Sequence, residues 1–255
     1  MKELIAYFDR AYIINLADRA DRRRQVEDEF CSVGVAVPND KVRFYSSVRP
    51  VDKGPFTDIG TRGCFESHRN ILQLADREGL RNVLIFEDDV SFRSVGPDLE
   101  RRLIARLSEV DWDVVCFGYL APSDDKLGGP LVRWPQDIIG AHFYAVNGKF
   151  IHGMLEYMQA CESRSRDHPL GGPMPADGAY NHVRYVNPKI NLFVAAPNLA
   201  YQRSSRTDIA RARSLDKVIW LRPFMQLARE IKHRVRMGVD RGRLRRQLKR
   251  SEDQV

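Results

Sequence analysis

The chain has 255 residues and a mass of 29.4 kDa, enough for the core of one larger domain, or of one domain and a tail. Hydrophobic residues make up 43% and charged residues 29%, with a mean hydropathy of -0.42, which excludes a wholly disordered chain. Charges interrupt every long apolar run, including the N-terminal one at Glu3, Asp9 and Arg10. We therefore expect neither a secretory signal nor a membrane span.

The net charge of +7 is concentrated near the C-terminus. Residues 211–250 hold fourteen Lys or Arg against three acids, whereas residues 1–210 carry a net charge of -2. The segment 213–255 mixes these arginines with apolar residues at helical spacing, which predicts a basic amphipathic helical tail. Such a tail suits peripheral contact with an anionic membrane.

The four cysteines are widely spaced, and no two form a C-x-x-C pair. This spacing argues against a disulfide framework and against a zinc site, and it suits a reducing cytosol. The expectation is four buried free thiols.

The first half of the chain alternates strand and helix patterns. In chain order we predict a strand at 11–16, a helix ending at Gly34, strands at 42–48 and 82–90 separated by a helix at 64–78, a helix at 97–109 and a strand at 112–118. This order predicts an α/β fold with a mainly parallel sheet and helices on both faces.

The second half has longer loops. We predict a loop at 121–135, a strand at 141–146, a helix at 148–161, a loop at 163–178 and a last strand at 190–197. The loop at 163–178 contains three prolines and three glycines, and loops of that length are more often functional than not. The pattern indicates one domain at 1–212, followed by the tail at 213–255.

Three adjacent carboxylates, Glu87-Asp88-Asp89, interrupt the strand pattern LIFEDDVSF. Because side chains alternate along a strand, Glu87 and Asp89 should share one side while Asp88 faces the other. Two hard oxygen ligands two residues apart can hold Mg²⁺ or Mn²⁺, and ligands of α/β sheets bind at the carboxyl ends of strands. The alternative is a solvated turn.

Three further stretches carry candidate residues. NLADRADRRR at 15–24 offers Asn15, Arg19 and Arg22 to a nucleotide at a helix start, or is a solvated helix face with Asp–Arg pairs. His68 in RGCFESHRN is a ligand-site candidate or a structural core histidine. Asp177 in the loop is a general-base candidate or a turn former.

These motifs occur in an order that resembles the family 25 glycosyltransferases, the lipooligosaccharide-type galactosyltransferases of bacteria. The matching stretches, within residues 10–205, are YIINLADRADRR, GCFESHRN, LIFEDDV, WDVVCFG, GAHFYAV and PADG. Glu66 stands where that family commonly has an apolar residue, and Thr61-Arg62 replace its usual acid–apolar pair.

The resemblance implies a GT-A-like fold with an acidic metal motif. Asp89 would contact Mn²⁺ or Mg²⁺ directly, with Glu87 as the second outer acid and Glu87 or Asp88 near the donor ribose or a metal-bound water. The stretch containing Asn15, Arg19 and Arg22 would lie near the nucleotide, and His68 near the donor.

The resemblance also implies an inverting, metal-dependent transfer of a hexose, with galactose from UDP-galactose as the expected case. The acceptor would be a cell-surface glycan or glycolipid such as lipopolysaccharide. An inverting reaction needs one base to deprotonate the acceptor hydroxyl; Asp177 is the candidate, with Asp124 or Asp125 as alternatives. We expect a cytoplasmic enzyme, held peripherally at the inner face of the cytoplasmic membrane.

Two other functions compete with this one. A nucleotidyltransferase that makes nucleotide sugars uses a similar domain, but it usually begins with a glycine-rich phosphate loop, and NLADRADRRR has no glycine. A nucleic-acid-binding protein could act through the basic tail. The body is slightly acidic and lacks a nucleic-acid-binding motif, and the tail intersperses Ile219, Trp220 and Leu221 among its arginines, so we expect a membrane surface and no nucleic acid.

Overall fold

The computed structural model describes residues 1–120 and 128–203. The helices of these residues are α1 Lys2–Tyr7, α2 Ala20–Ser32, α3 Ile59–Arg77, α4 Pro97–Glu109, α5 Gly148–Ser163 and α6 Ala176–Val186. The strands are β1 Arg10–Asn15, β2 Val42–Ser46, β3 Asn82–Glu87, β4 Val90–Phe92, β5 Val114–Gly118, β6 Leu131–Arg133, β7 Phe143–Asn147, β8 Leu192–Ala195 and β9 Ala200–Gln202.

The strands form one mixed sheet, in which seven follow the order β2-β1-β3-β7-β5-β8-β6. Strands β1, β2 and β3 are parallel, as are β5 and β8, while β7 lies antiparallel between β3 and β5. Five of the seven strands therefore run in one direction, against β6 and β7. Strand β9 pairs with β4 and with the last residue of β5, so the β4–β9 pair lies beside the carboxyl ends of β3 and β5.

Each face of the sheet carries its own hydrophobic core, because side chains of a strand alternate between faces. On β3, Val83 and Ile85 pack on the face that α3, α5 and α6 cover, and Leu84 and Phe86 on the face that α1, α2 and α4 cover. Fully burying a side chain of this size contributes about 1.5–3 kcal/mol. This two-sided burial confirms the predicted α/β architecture, a mainly parallel sheet with helices on both faces, and it fixes which face each residue at the end of β3 meets.

The strand and helix predictions are confirmed in the first half of the chain, with shifted ends. Helix α3 begins at Ile59, five residues before the predicted start, because Asp58 caps it by accepting a hydrogen bond from the backbone N–H of Thr61 at 2.8 Å. The sequence did not predict α1, β6, α6 or β9. The loop predicted at 163–178 is wrong at its end, since α6 begins at Ala176.

The four cysteines are free thiols, as expected. Cys116 and Cys161 are buried, but Cys64 is only half-buried and Cys31 is exposed, so the burial expected for all four is wrong for these two.

The predicted tail at 213–255 and the domain end at residue 212 lie outside the described residues. Within residues 1–120 and 128–203, no helix combines the length and the apolar character that crossing a membrane requires.

Candidate active site

The acidic triplet ends β3 and forms the turn into β4. Glu87 is the last residue of β3, Asp88 and Asp89 form the turn, and Val90 begins β4. The side chain of Glu87 follows the alternation of β3 and contacts His68 of α3, whereas the side chain of Asp88 contacts Arg22 of α2. The predicted separation of Asp88 from the other two acids is confirmed.

Asp88 is buried, and both its carboxylate oxygens are hydrogen-bonded. Arg22 donates from Nη1 to Oδ1 at 2.8 Å, and Asn15 donates from Nδ2 to Oδ2 at 2.8 Å. Arg22 reaches inward because it shares the buried stripe of α2 with Val26 and Phe30. Burial raises the pKa of Asp88, and the charge of Arg22 and the hydrogen bonds offset part of that rise. Asp88 therefore fastens the end of β1 and the start of α2 to the triplet.

Glu87 and Asp89 converge on the side-chain amide of Gln202 in β9. Nε2 of Gln202 lies 3.3 Å from Oε2 of Glu87 and 3.2 Å from Oδ2 of Asp89. The second oxygen of Asp89, Oδ1, is buried and has no hydrogen-bond partner among the described residues. Burial, together with the charges of Glu87 and Asp88, raises the pKa of Asp89 from 3.8 to about 8. A cation at this position would offset both the unpaired oxygen and the repulsion between the acids.

His68 lies behind Glu87 on α3 and is fully buried. Its Nε2 is 3.5 Å from Oε1 of Glu87, and its Nδ1 is 2.7 Å from the hydroxyl of Tyr144, which accepts a hydrogen bond from Tyr180 at 3.3 Å. Burial acts to raise the pKa of Glu87, but the contact with His68 brings it below its ordinary value. His68 is thus both a core residue and a neighbour of the acidic site.

Cys64 lies one helical turn before His68 and is close to the same carboxylates. Burial and the charges of Glu87, Asp177 and Asp89 raise the pKa of the Cys64 thiol well above its ordinary value. The charges of all three acids disfavour the thiolate form of Cys64 in the metal-free protein.

Arg203 fixes the backbone of the acidic turn, and the sequence did not single it out. Its backbone N–H donates to the carbonyl of Asp89 at 2.7 Å, and its Nη2 donates to the carbonyl of Asp88 at 2.6 Å. Burial lowers the pKa of Arg203, while the charges of Glu29, Asp89 and Asp88 act to raise it.

His142 is a second buried histidine that the sequence did not single out. Its carbonyl accepts the backbone N–H of Glu87 at 3.0 Å, and its Nδ1 has no hydrogen-bond partner in the described part of the chain. Burial lowers the pKa of His142, which favours a neutral ring beside the carboxylates.

Arg19, the N-cap residue of α2, makes a bidentate ion pair with Asp21. Nε of Arg19 lies 3.0 Å from Oδ1 of Asp21, and Nη2 lies 2.9 Å from Oδ2. The hydrogen bond from Arg19 lowers the pKa of Asp21 to about 2. This pair is of the kind expected under the alternative for this stretch, a solvated helix face with Asp–Arg pairs.

Asp177 lies in the first turn of α6, which corrects its prediction as a loop residue. An acid is favourable there, near the positive end of the helix dipole. The backbone N–H groups of Gly140 and Gly178 donate to its two oxygens at 2.9 and 2.8 Å. The charge of Asp177 contributes to the raised pKa of the Cys64 thiol. The alternative bases Asp124 and Asp125 lie outside the described residues.

A cavity of about 460 Å³ lies along the C-terminal half of α6, away from these acids. Its lining includes Trp134, Asp137, Arg184 and Tyr185, and no residue of the acidic triplet.

The donor atoms at the acidic site fit a hard divalent cation held by Glu87 and Asp89. Mn²⁺ and Mg²⁺ prefer carboxylate oxygens, and Oδ1 of Asp89 is a buried carboxylate oxygen without a partner among the described residues. Asp88 fits a structural role instead, since Arg22 and Asn15 occupy both of its oxygens.

Curated proteins similar to this chain carry family 25 names, although no protein-family model matches it. A glycosyltransferase 25 family member of Anopheles gambiae is 29% identical over 192 residues, which is 65% of this chain and 30% of that protein. Another from Aedes aegypti is 26% identical over 251 residues, covering 82% of this chain and 39% of that protein. Procollagen galactosyltransferase 1 of Danio rerio is 32% identical over 134 residues, which cover 44% of this chain and 21% of that protein.

The chain is therefore similar to members of glycosyltransferase family 25. It spans between 21% and 39% of the length of these relatives. Other family 25 relatives, from human, mouse and cattle, are named inactive or probable inactive members. Among solved structures, a glycosyltransferase involved in glycosylation of the major capsid of PBCV-1 has a TM-score of 0.45 at 14% identity, covering 78% of this chain and 94% of its own.

Proposed function

We propose that this chain is a family 25 glycosyltransferase that moves a hexose from a nucleotide-sugar donor to a hydroxyl of a glycan. The observation that carries the proposal is the convergence of Glu87 and Asp89 at the carboxyl end of β3, with one oxygen of Asp89 buried and unpartnered among the described residues. The curated names of the relatives support the same activity. The relative named procollagen galactosyltransferase 1 favours galactose as the hexose, and hence UDP-galactose as the donor.

In this proposal Asp89 and Glu87 hold Mn²⁺ or Mg²⁺. The bound ion would neutralise the negative charge that develops on the leaving diphosphate. Gln202 orients both carboxylates, and Arg203 and Arg22 hold the turn that carries them.

The nucleotide would lie against the start of α2. The first backbone N–H groups of a helix and its positive dipole end favour a phosphate, and this helix start is fastened to the triplet through Asn15, Arg22 and Asp88. Arg19 would then exchange part of its pairing with Asp21 for the nucleotide.

Asp177 is the proposed general base for an inverting transfer. Its two backbone hydrogen bonds fix the orientation of the carboxylate, and its charge acts on the Cys64 thiol together with the charges of Glu87 and Asp89. Each of its oxygens keeps a second lone pair for the proton of an acceptor hydroxyl.

The acceptor in this proposal is a cell-surface glycan such as lipopolysaccharide, reached from the cytoplasmic side of the membrane. The composition of 213–255 supports the location, because arginines interspersed with apolar residues suit an anionic surface.

A screen of nucleotide sugars for slow donor hydrolysis with and without Mn²⁺ tests the proposal. The wild type should hydrolyse one donor preferentially, and Asp89→Ala should lower the rate about 100-fold or more, as removal of one charge-stabilising group does in other enzymes. Asp28→Ala, an exposed acid of α2, is the matched control and should keep the wild-type rate. Hydrolysis that survives Asp89→Ala, or that needs no metal, would overturn the role given to the triplet; no hydrolysis of any donor would overturn the activity.

A further inference from the structure

Cys64, His68 and Glu87 form a three-residue cluster in which a thiol, an imidazole and a carboxylate face one another. One ligand atom from each residue lies within 4.8 Å of the other two. Cys64 and His68 are four residues apart on α3, so they share one face of the helix. Glu87 reaches the same point from the end of β3.

The ring of His68 is oriented as a metal-binding histidine is. Nδ1 lies 2.7 Å from the hydroxyl of Tyr144, a contact that fixes the ring and can set its tautomer. Tyr144 accepts a hydrogen bond from Tyr180 and has a second lone pair, which can accept Nδ1–H of His68 in the tautomer that metal binding through Nε2 requires. The opposite nitrogen, Nε2, is buried and has no hydrogen-bond partner within the described residues. In that tautomer the lone pair of Nε2 faces the cluster, where Oε1 of Glu87 lies 3.5 Å away.

We propose that Cys64, His68 and Glu87 form a site for Zn²⁺, or for another divalent ion that accepts sulfur and nitrogen ligands. A sulfur–nitrogen–oxygen donor set suits Zn²⁺ and does not suit Mg²⁺ or Mn²⁺, which prefer oxygen. Ligands of one zinc ion stand roughly 2.0 to 2.3 Å from it and so lie within about 4 Å of one another. Small side-chain rotations close the cluster to that size, and three protein ligands leave a fourth position open.

The charges around the cluster favour a cation. Glu87, Asp89 and Asp177 all act on Cys64. Zinc binding requires the thiolate and releases the thiol proton, and the positive ion replaces it among the three acids.

The zinc site shares Glu87 with the site proposed for Mn²⁺. If the proposed function is correct, Zn²⁺ at this cluster and Mn²⁺ at Glu87 and Asp89 compete for the carboxylate of Glu87. The zinc site itself depends only on the three ligands and stands whether or not the chain transfers a sugar.

Binding to the full chain, purified with reduced thiols and without metal, tests this inference. Zinc affinity is measured by competition with a chromophoric chelator, and Co²⁺ serves as a spectroscopic substitute whose thiolate charge-transfer absorption reports a sulfur ligand. We expect a single tight zinc ion and that absorption in the wild type. Cys64→Ser should abolish the absorption and weaken zinc by more than about 100-fold, and Tyr144→Phe should weaken it by about 10- to 100-fold through the orientation of His68.

Two matched variants distinguish zinc at this cluster from zinc at an exposed thiol or at the site formed by Glu87 and Asp89. Cys31→Ser removes an exposed thiol of α2 and should leave zinc affinity and the cobalt spectrum unchanged. Asp89→Asn should abolish Mn²⁺-dependent hydrolysis while zinc binding persists, so the two proposals fail independently.

Alkylation of the wild type covers the case in which Cys64→Ser does not fold. Zinc should protect Cys64, and not Cys31, from maleimide, as measured by mass spectrometry of the peptides. Equal labelling of Cys64 with and without zinc, or zinc affinity unchanged in Cys64→Ser, would overturn the inference.

Discussion

Replacing Asp89 with Asn should stabilise the metal-free protein at alkaline pH. The pKa of Asp89 is raised from 3.8 to about 8, and at about 1.4 kcal/mol per unit this sets an upper limit of about 6 kcal/mol on the cost of its charge. Because Glu87 and Asp88 share that repulsion and the turn can relax, we expect about 2 to 3 kcal/mol. Asn keeps the shape and the contact with Gln202 while removing the charge.

The sign of this effect depends on pH. Between about pH 4 and pH 8 the folded chain keeps a proton on Asp89 that the unfolded chain releases, so the free energy of unfolding of the wild type falls as pH rises. Asp89→Asn should lack that fall, so the two proteins should have similar stability near pH 5 and should differ most near pH 9.

Urea unfolding from pH 5 to pH 9, with and without MnCl₂, measures both expectations. Mn²⁺ at about 100 times its dissociation constant should add about 2.7 kcal/mol to the wild type, and nothing to Asp89→Asn. Asp28→Asn, on the exposed side of α2, should behave like the wild type. Parallel pH profiles for the wild type and Asp89→Asn would refute both the buried charge and the metal site.

Three other substitutions or deletions test the same structure. Arg22→Ala should lower the free energy of unfolding by about 3–5 kcal/mol, because it leaves Asp88 buried without its cation. Arg24→Ala, on the exposed face of α2, should change this free energy little, and urea denaturation of both variants measures the difference. Gly118→Ala should cost about 1–3 kcal/mol because its Cβ would lie 2.6 Å from the His142 ring, and a variant as stable as the wild type would show that this ring can move. Truncation after residue 212 should abolish co-sedimentation with anionic vesicles; unchanged binding would exclude the tail as the membrane contact.

The sequence predicted that the three acids lie at the end of β3, because this prediction needs only the residues next to them. An apolar run followed by three carboxylates defines a strand end, and the period of two separates Asp88 from Glu87 and Asp89. The helical spacing of Val26 and Phe30 predicted the inward face of α2, but the sequence did not predict that Arg22 shares this face and pairs with Asp88.

The sequence did not predict the partners that come from distant strands. Gln202 and Arg203 meet the triplet because β9 pairs with β4 more than a hundred residues earlier, and nothing in the residues around Gln202 encodes that pairing. Strand β7 runs antiparallel between β3 and β5, and it brings His142 against Glu87. The spacing of Cys64 and His68 indicates that the two side chains lie close together, since residues four apart on a helix share a face. The absence of a C-x-x-C pair does not exclude a metal site of this kind.

The balance of charge at the triplet leads to one more expectation, about how the donor and the metal bind. The guanidinium of Arg22 is paired with Asp88 and that of Arg203 with the backbone of the turn, so the negative charge of Glu87 and Asp89 is left facing the site. At pH 9, above the pKa of Asp89, both acids are ionised, so a diphosphate arriving without a cation is repelled by them, and with a cation it is bridged to them. Mn²⁺ should therefore raise the affinity for UDP in the wild type. In Asp89→Asn the enhancement should disappear while the metal-free affinity rises, because the repulsion is reduced. Titration calorimetry of UDP with and without MnCl₂ measures both changes; a metal-free affinity that falls in Asp89→Asn would show that Asp89 contacts the nucleotide directly and not through a cation.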